Sequence, residues 1–311
     1  MEWILIMLAA VLVAVPVVLS VELLRRRYRT RLDWLLAAAT ATGFGAYALL
    51  VGRWDMFSYY LRPLVALLLL TAVVVSLVRV RRQPWWRRPD ERRGWLALGS
   101  SALVAAVFVG LTGYAASGIV AGRPAVELTF PLRDGVAYVG QGGANPMLSY
   151  HNPIRAQAYA LDIVGLNAAG LHASGLAPTE PERYTVFGRD VHSPCTGAVL
   201  EASDGLADQN PPKTDRVNLA GNHVIVRCHG TDPAVDVLLA HLSTGSVAVR
   251  PDADVAAGDV VARVGNTGNT SEPHLHVHAV RTGSGSALDG EGVPIRFDGR
   301  FLVRNDLVLV G

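Results

Sequence analysis

Hydrophobic and polar positions alternate on two different length scales along this chain. Over the first 120 residues, long apolar stretches are separated by short polar links: 3–24, 32–52, 57–80 and 95–120 hold Leu, Val and Ala with almost no charge. Each is close to the ~20 residues that cross a bilayer as a helix, so this half predicts four transmembrane helices. Arg62-Pro63 interrupts the third stretch near one end, where arginine can snorkel and proline is tolerated in a first turn. Ala121-Gly-Arg-Pro124 reads as a linker. After it the apolar runs shorten and are broken by Gly, Pro, Asn and Asp. The expected strands are 126–130, 135–140, 158–164, 197–202, 222–228, 236–241, 260–264 and 274–280, with no sustained helical period among them. Short strands with turn signals between them argue for an all-β antiparallel domain. The expected organisation is therefore a four-helix membrane anchor at 1–122 and an outer domain at 123–311, whose roughly 190 residues are ample for one core.

Charge orients this plan. Residues 1–120 carry fourteen Arg against six acids, net +8. The remainder carries thirteen Arg and Lys213 against twenty acids, net −6, which recovers the +2 of the whole. The basic residues cluster after the first run (Arg25, Arg26, Arg27, Arg29, Arg31) and after the third (Arg79, Arg81, Arg82, Arg87, Arg88, Arg92, Arg93), whereas the link between runs two and three has Arg53 and Asp55. The positive-inside rule then has one consistent solution: N-terminus outside, both Arg-rich links cytoplasmic, and the fourth helix delivering the second half to the outside. Trp85, Trp86 and Trp95 suit the inner interface as anchors. The first run lacks a basic leader segment and is too long for a cleaved signal, so it is read as a span. No run holds a buried ionisable group near its middle, which argues against a channel or transporter. The Arg- and Ala-rich composition points to a GC-rich bacterial genome, the lipid bilayer is an expected partner, and nucleic acid is not.

The candidate chemistry lies in the second half. Pro273-His274-Leu275-His276 follows a glycine-rich stretch, Gly265-Asn-Thr-Gly268. On a strand, His274 and His276 share a face while Leu275 and Val277 turn to the other. Two imidazoles on one rigid strand can bind a transition metal, or one can bind while the other moves protons. His278 shares their face farther along. The apolar strand before His241 ends on that residue, and Asp162 is an acid on an apolar strand, which needs a cation, a metal or hydrogen bonds. His151 lies just upstream of it, while His172, His192, His223 and His229 read as structural or exposed. Cys195 and Cys228 sit on strands that pair around 203–221. With Val199 opposite Val224, the two cysteines face each other, and outside the cytoplasm they can oxidise.

The blocks Ala240-His241-Leu242-Ser243, Val255-Ala-Ala-Gly258, Gly265-Asn-Thr-Gly268 and Pro273-His274-Leu275-His276 occur in an order and spacing that strongly resembles the lysostaphin- and LytM-like zinc endopeptidases, peptidase family M23. The earlier segments His192-Ser-Pro194 and Gly221-Asn222 fit as well, and the likeness runs over about residues 130–305. It implies a duplicated-hybrid-motif type of β domain that binds one Zn²⁺ and hydrolyses peptide bonds, with peptidoglycan or another peptide as substrate. It also implies His276 and Asp162 as metal ligands, and His241 and His274 as residues handling water and the tetrahedral intermediate. One block departs from the family: its usual His-x-Gly-x-Asp reads Ala158-Tyr159-Ala160-Leu161-Asp162 here. His151 is then the substitute ligand, which requires 152–157 to loop back. No HExxH helix supplies a glutamate base, so imidazole must do the proton chemistry. The alternative functions are a non-catalytic module that binds wall or regulates another hydrolase, and a membrane sensor.

Overall fold

The computed structural model describes residues 2–89 and 91–310; Met1, Asp90 and Gly311 lie outside the described residues. The chain divides into two units. One holds the residues up to Trp54 together with Ser58–Ala116, the other Asp55–Phe57 together with the chain from Ser117 onward.

The apolar stretches form α1 (Glu2–Arg25), α2 (Arg31–Val51), α3 (Leu61–Val80) and α4 (Arg92–Ser117), all four long and apolar enough to cross a membrane. Thr30 caps α2 by accepting a hydrogen bond from the Asp33 amide at 3.0 Å, and the Asp33 carboxylate suits the positive end of the helix dipole. α3 starts four residues later than expected, after a short 3₁₀ turn at Trp54–Met56. Pro63 thereby falls in the first turn, where its missing N–H costs nothing. Small residues let the helices approach: a Cβ on Gly45 would collide with Leu69, and Thr112 donates to the Gly43 carbonyl at 2.6 Å. Leu64, Leu67, Leu70 and Leu103 remain exposed.

The second unit is built on strands β1 (Val126–Leu128), β2 (Gly135–Gln141), β3 (Leu161–Leu166), β4 (Asp190–His192), β5 (Gly197–Ser203), β6 (Asn222–Cys228), β7 (Val235–Leu242), β8 (Asp254–Val255), β9 (Val260–Arg263), β10 (Leu275–Arg281), β11 (Gly292–Val293), β12 (Ile295–Phe297) and β13 (Leu307–Val310). The main sheet runs β13-β2-β3-β10-β7-β6-β5-β8, with β11 also on β10, and every pairing in it is antiparallel. A parallel pair β1–β12 and an antiparallel pair β4–β9 flank it. Alternation sorts the two faces: Leu161, Ile163, Val237, Leu239, Leu275 and Val277 join the large apolar core, while Leu238, Ala240 and Val280 join a smaller cluster on the other face. Polar side chains on that second face are therefore held at the floor of a rigid sheet.

Two expectations are corrected. β3 begins at Leu161 rather than 158, because Ile154, Gln157 and Ala160 amides bond back to His151, Ile154 and Gln157 carbonyls and hold the preceding segment in turns. Ala158 and Ala160 therefore share no strand face with Asp162. In the β5–β6 pair Val199 faces Val226, not Val224, and Gly197 faces Cys228, with a bulge between Val199 and Glu201. Cys195 precedes the strand and still bonds Cys228 with Cα atoms 5.6 Å apart. The bond closes 33 residues of chain. Replacing both cysteines with alanine is expected to cost roughly 3–4 kcal/mol of stability by the loop-entropy relation. Denaturant unfolding of the two proteins checks this, and a difference under ~1 kcal/mol would contradict it.

Candidate metal centre

Strand register brings the first pair of site residues together. Asp162 on β3 lies directly opposite His276 on β10, and His276 Nδ1 is 2.8 Å from Asp162 Oδ1. The turns ahead of β3 fold His151 back onto the same carboxylate, with Nε2 at 2.9 and 3.0 Å from its two oxygens. The substitute position proposed from the sequence thus lies beside Asp162 and His276, and the His151 and His276 rings are 4.7 Å apart. His274 precedes β10, with Nε2 at 3.5 Å from Asp162 Oδ1.

His241 reaches the site by a different device. Strict alternation along β7 would send it to the core face with Leu239. Instead, Asn222 pairs with Leu242 and His223 with Ala240, so His241 is an extra residue bulged out of the β6–β7 ladder. Its φ is 64°, the left-handed region. This costs of order 1 kcal/mol or more for a non-glycine residue and re-aims the side chain. Leu242 then returns to the core, and the His241 ring lies 4.8 Å from His274 and 5.8 Å from His276. Gly268 has φ +86°, and a Cβ there would run into the Gly221 backbone. That close approach sets the Thr267 carbonyl 2.8 Å from His241 Nδ1.

Outer contacts decide which ring atoms face inward. His241 Nδ1–H donates to the Thr267 carbonyl, and His274 Nδ1–H to the Glu272 carbonyl at 2.8 Å. His151 Nδ1–H donates to Gln157 Oε1 at 2.7 Å. Carbonyl oxygens only accept, so each of these rings keeps a hydrogen at Nδ1 and turns its Nε2 to the site. Tyr150 donates its hydroxyl to Asp162 Oδ2 at 2.8 Å.

The electrostatics agree. Burial works to raise the pKa of Asp162, but the charges of His151 and His274 and hydrogen bonds from His151 and His276 outweigh it and hold the carboxyl well below its ordinary value. Burial and the neighbouring His274 and His276 push His241 well below the ordinary histidine value. His276 is pushed down to about 4, chiefly by burial. His151 goes the other way, since Asp162 outweighs its burial and raises it. A buried carboxylate ringed by imidazole nitrogens requires a positive charge among them, either a proton on His151 or a metal ion. Among the described residues, two groups of donor atoms are close enough to hold an ion: His151, Asp162 and His276, and His241, His274 and His276.

Residues 184–289 match the model of peptidase family M23. This chain carries an M23-type domain. No curated protein matches the chain. Among solved structures, it is similar to a zinc-containing peptidase from Vibrio cholerae, at 18% identity and a TM-score of 0.31 over 48% of this chain and 35% of that one. It is likewise similar to lysostaphin from Staphylococcus simulans, at 18% identity and a TM-score of 0.31 over 50% of this chain and 46% of that one. A third is the catalytic domain of a mutant of the prophage-encoded M23 protein EnpA from Enterococcus faecalis, at 22% identity and a TM-score of 0.21 over 34% and 73%. The chain thus spans about a third to a half of the length of the first two. The M23 match takes in His241, His274, His276 and His278 but stops short of His151 and Asp162.

Sequence reasoning missed Tyr150 and Gln157 as partners of these side chains. The signal available was their spacing, one residue before and six after His151. It also missed Thr267 and Glu272, which act through backbone carbonyls and carry no side-chain signal.

Proposed function

We propose that the chain is a membrane-anchored zinc metalloendopeptidase that hydrolyses peptide bonds of peptidoglycan cross-links or stem peptides. His151, Asp162 and His276 hold the ion. The observation that carries this reading is the convergence of three histidine rings, His151, His274 and His276, on one ionised, buried carboxylate. The group containing Asp162 is favoured over the three-histidine group because its negative charge offsets that of a dication. Three protein ligands with one open position is the pattern of catalytic zinc. Zinc supplies a polarised carbonyl and a water acidified to a pKa of about 7.

The protein's own part is proton handling. His241, neutral at pH 7 and anchored through Nδ1 on the Thr267 carbonyl, accepts the proton of the attacking water at Nε2 and returns it to the leaving amine. His274, fixed on the Glu272 carbonyl, supports the same transfer and the charge that builds on the substrate oxygen. The distribution of arginines supports four membrane spans over 1–122 with 123–311 on the extracytoplasmic face, as does the disulfide. Alanine at 158, where the family places a ligand, favours one second reading: a non-catalytic module that binds wall or regulates another hydrolase.

The test incubates the full chain with defined muropeptides. Cross-link or stem-peptide cleavage is expected, lost on chelation and restored by stoichiometric zinc. Protein that takes up no zinc and releases no fragment from any of them would leave the non-catalytic reading in its place.

A further inference from the structure

His278 is the next inward residue on β10, and the metal site as described above makes no use of it. It is 1% exposed, and both its ring nitrogens have short contacts: Nε2 is 2.6 Å from the Ala287 carbonyl, and Nδ1 is 2.9 Å from His276 Nε2. We propose that His278 is a positioning residue for the metal centre: it accepts the Nε2–H of His276 and so holds that ring with Nδ1 open toward the ion. This rests on the metal reading given above.

The tautomers follow from the chain of contacts. The Ala287 carbonyl can only accept, so His278 Nε2 carries the hydrogen. In the neutral His278 ring Nδ1 is then the lone pair, and the hydrogen between the two rings, 2.9 Å apart at these atoms, belongs to His276 Nε2. His276 Nδ1 is thereby left to face the ion beside Asp162; without an ion, its 2.8 Å contact with the carboxylate takes a hydrogen on Nδ1 instead. The far end of the chain of contacts is itself fixed. Ser286 amide and hydroxyl both donate to Asp289, and the Gly290 amide donates to the Ser286 carbonyl. This closes the turn that carries Ala287. A metal-ligating histidine oriented through its second nitrogen is a general requirement of such sites; here strand alternation supplies the partner from the next inward position.

The experiment uses the full chain in detergent micelles, selectively labelled with ¹⁵N-histidine, and three proteins: native, His278→Leu and His278→Gln. Leucine fills the space without accepting a hydrogen bond, whereas the glutamine amide can accept from His276 and donate to Ala287. In the zinc-loaded native protein, the ¹⁵N shifts should place the hydrogen on Nε2 of both His276 and His278. In competition with a chromophoric chelator, His278→Leu should bind zinc about 10–100-fold more weakly and His278→Gln within about threefold of native, the range seen for outer-shell partners. Native-like zinc affinity in a folded His278→Leu protein, or a hydrogen on His278 Nδ1 in the zinc-loaded native protein, overturns the proposal. If His278→Leu does not fold, the native tautomer and the His278→Gln affinity decide. A native protein that binds no zinc at all would end the metal reading and this proposal with it, whereas native-like affinity in His278→Leu ends the positioning role alone.

Discussion

Replacing His276 with alanine is expected to abolish stoichiometric zinc binding and to lower peptide hydrolysis by at least about a thousandfold, because water without the ion returns from a pKa of about 7 to the far higher one of bulk water. His276 is the residue with most at stake because both groups of donor atoms contain it. It also sits opposite Asp162 in the sheet, so its loss removes a donor atom common to both groups and one hydrogen-bonding partner of the buried carboxylate. Metal content by mass spectrometry and fragment release by chromatography check both parts. Full turnover in the variant would remove the metallopeptidase assignment, whichever group of ligands were favoured.

His151→Ala is expected to be nearly as damaging, and it is the more discriminating change. It spares the three-histidine group and breaks only the group with Asp162. Zinc affinity should fall by more than the roughly 10–100-fold typical of an outer-shell loss, with hydrolysis falling alongside. His241→Ala should behave oppositely, keeping zinc while losing turnover, since His241 is assigned to the proton and not the ion. Titration of the two variants with zinc separates the cases. Tight binding by His151→Ala together with lost binding by His241→Ala would transfer the ion to His241, His274 and His276.

Much of this arrangement was legible in the residues. The His274–His276 pair and the alternation around it gave the sheet face. The apolar runs gave the four helices to within a few residues at most ends, and eight strands were located. What escaped has physical causes. β4, β8, β11, β12 and β13 are two to four residues long, too short for a period-2 pattern to rise above chance. The β5–β6 register slipped because a bulge adds a residue that no hydropathy pattern marks. His241 was read as the end of a strand, which is where it lies, but its side chain's direction depends on a backbone conformation and not on residue type. His151 could be nominated by proximity to Asp162, whereas the turns that return it to the carboxylate rest on backbone hydrogen bonds.

The extra residue at 241 also bears on how such a site can be gained or lost. Point substitutions elsewhere in β7 leave the ladder's count intact. Deleting a single codon ahead of it in the strand would close the bulge and set the imidazole opposite His223, in the place Ala240 now holds, without the left-handed backbone that aims it at His274 and His276. The chain would keep nearly every letter of its motif while that ring left its place beside theirs. Where the imidazole points is therefore inherited through strand length as much as through the identity of the histidine.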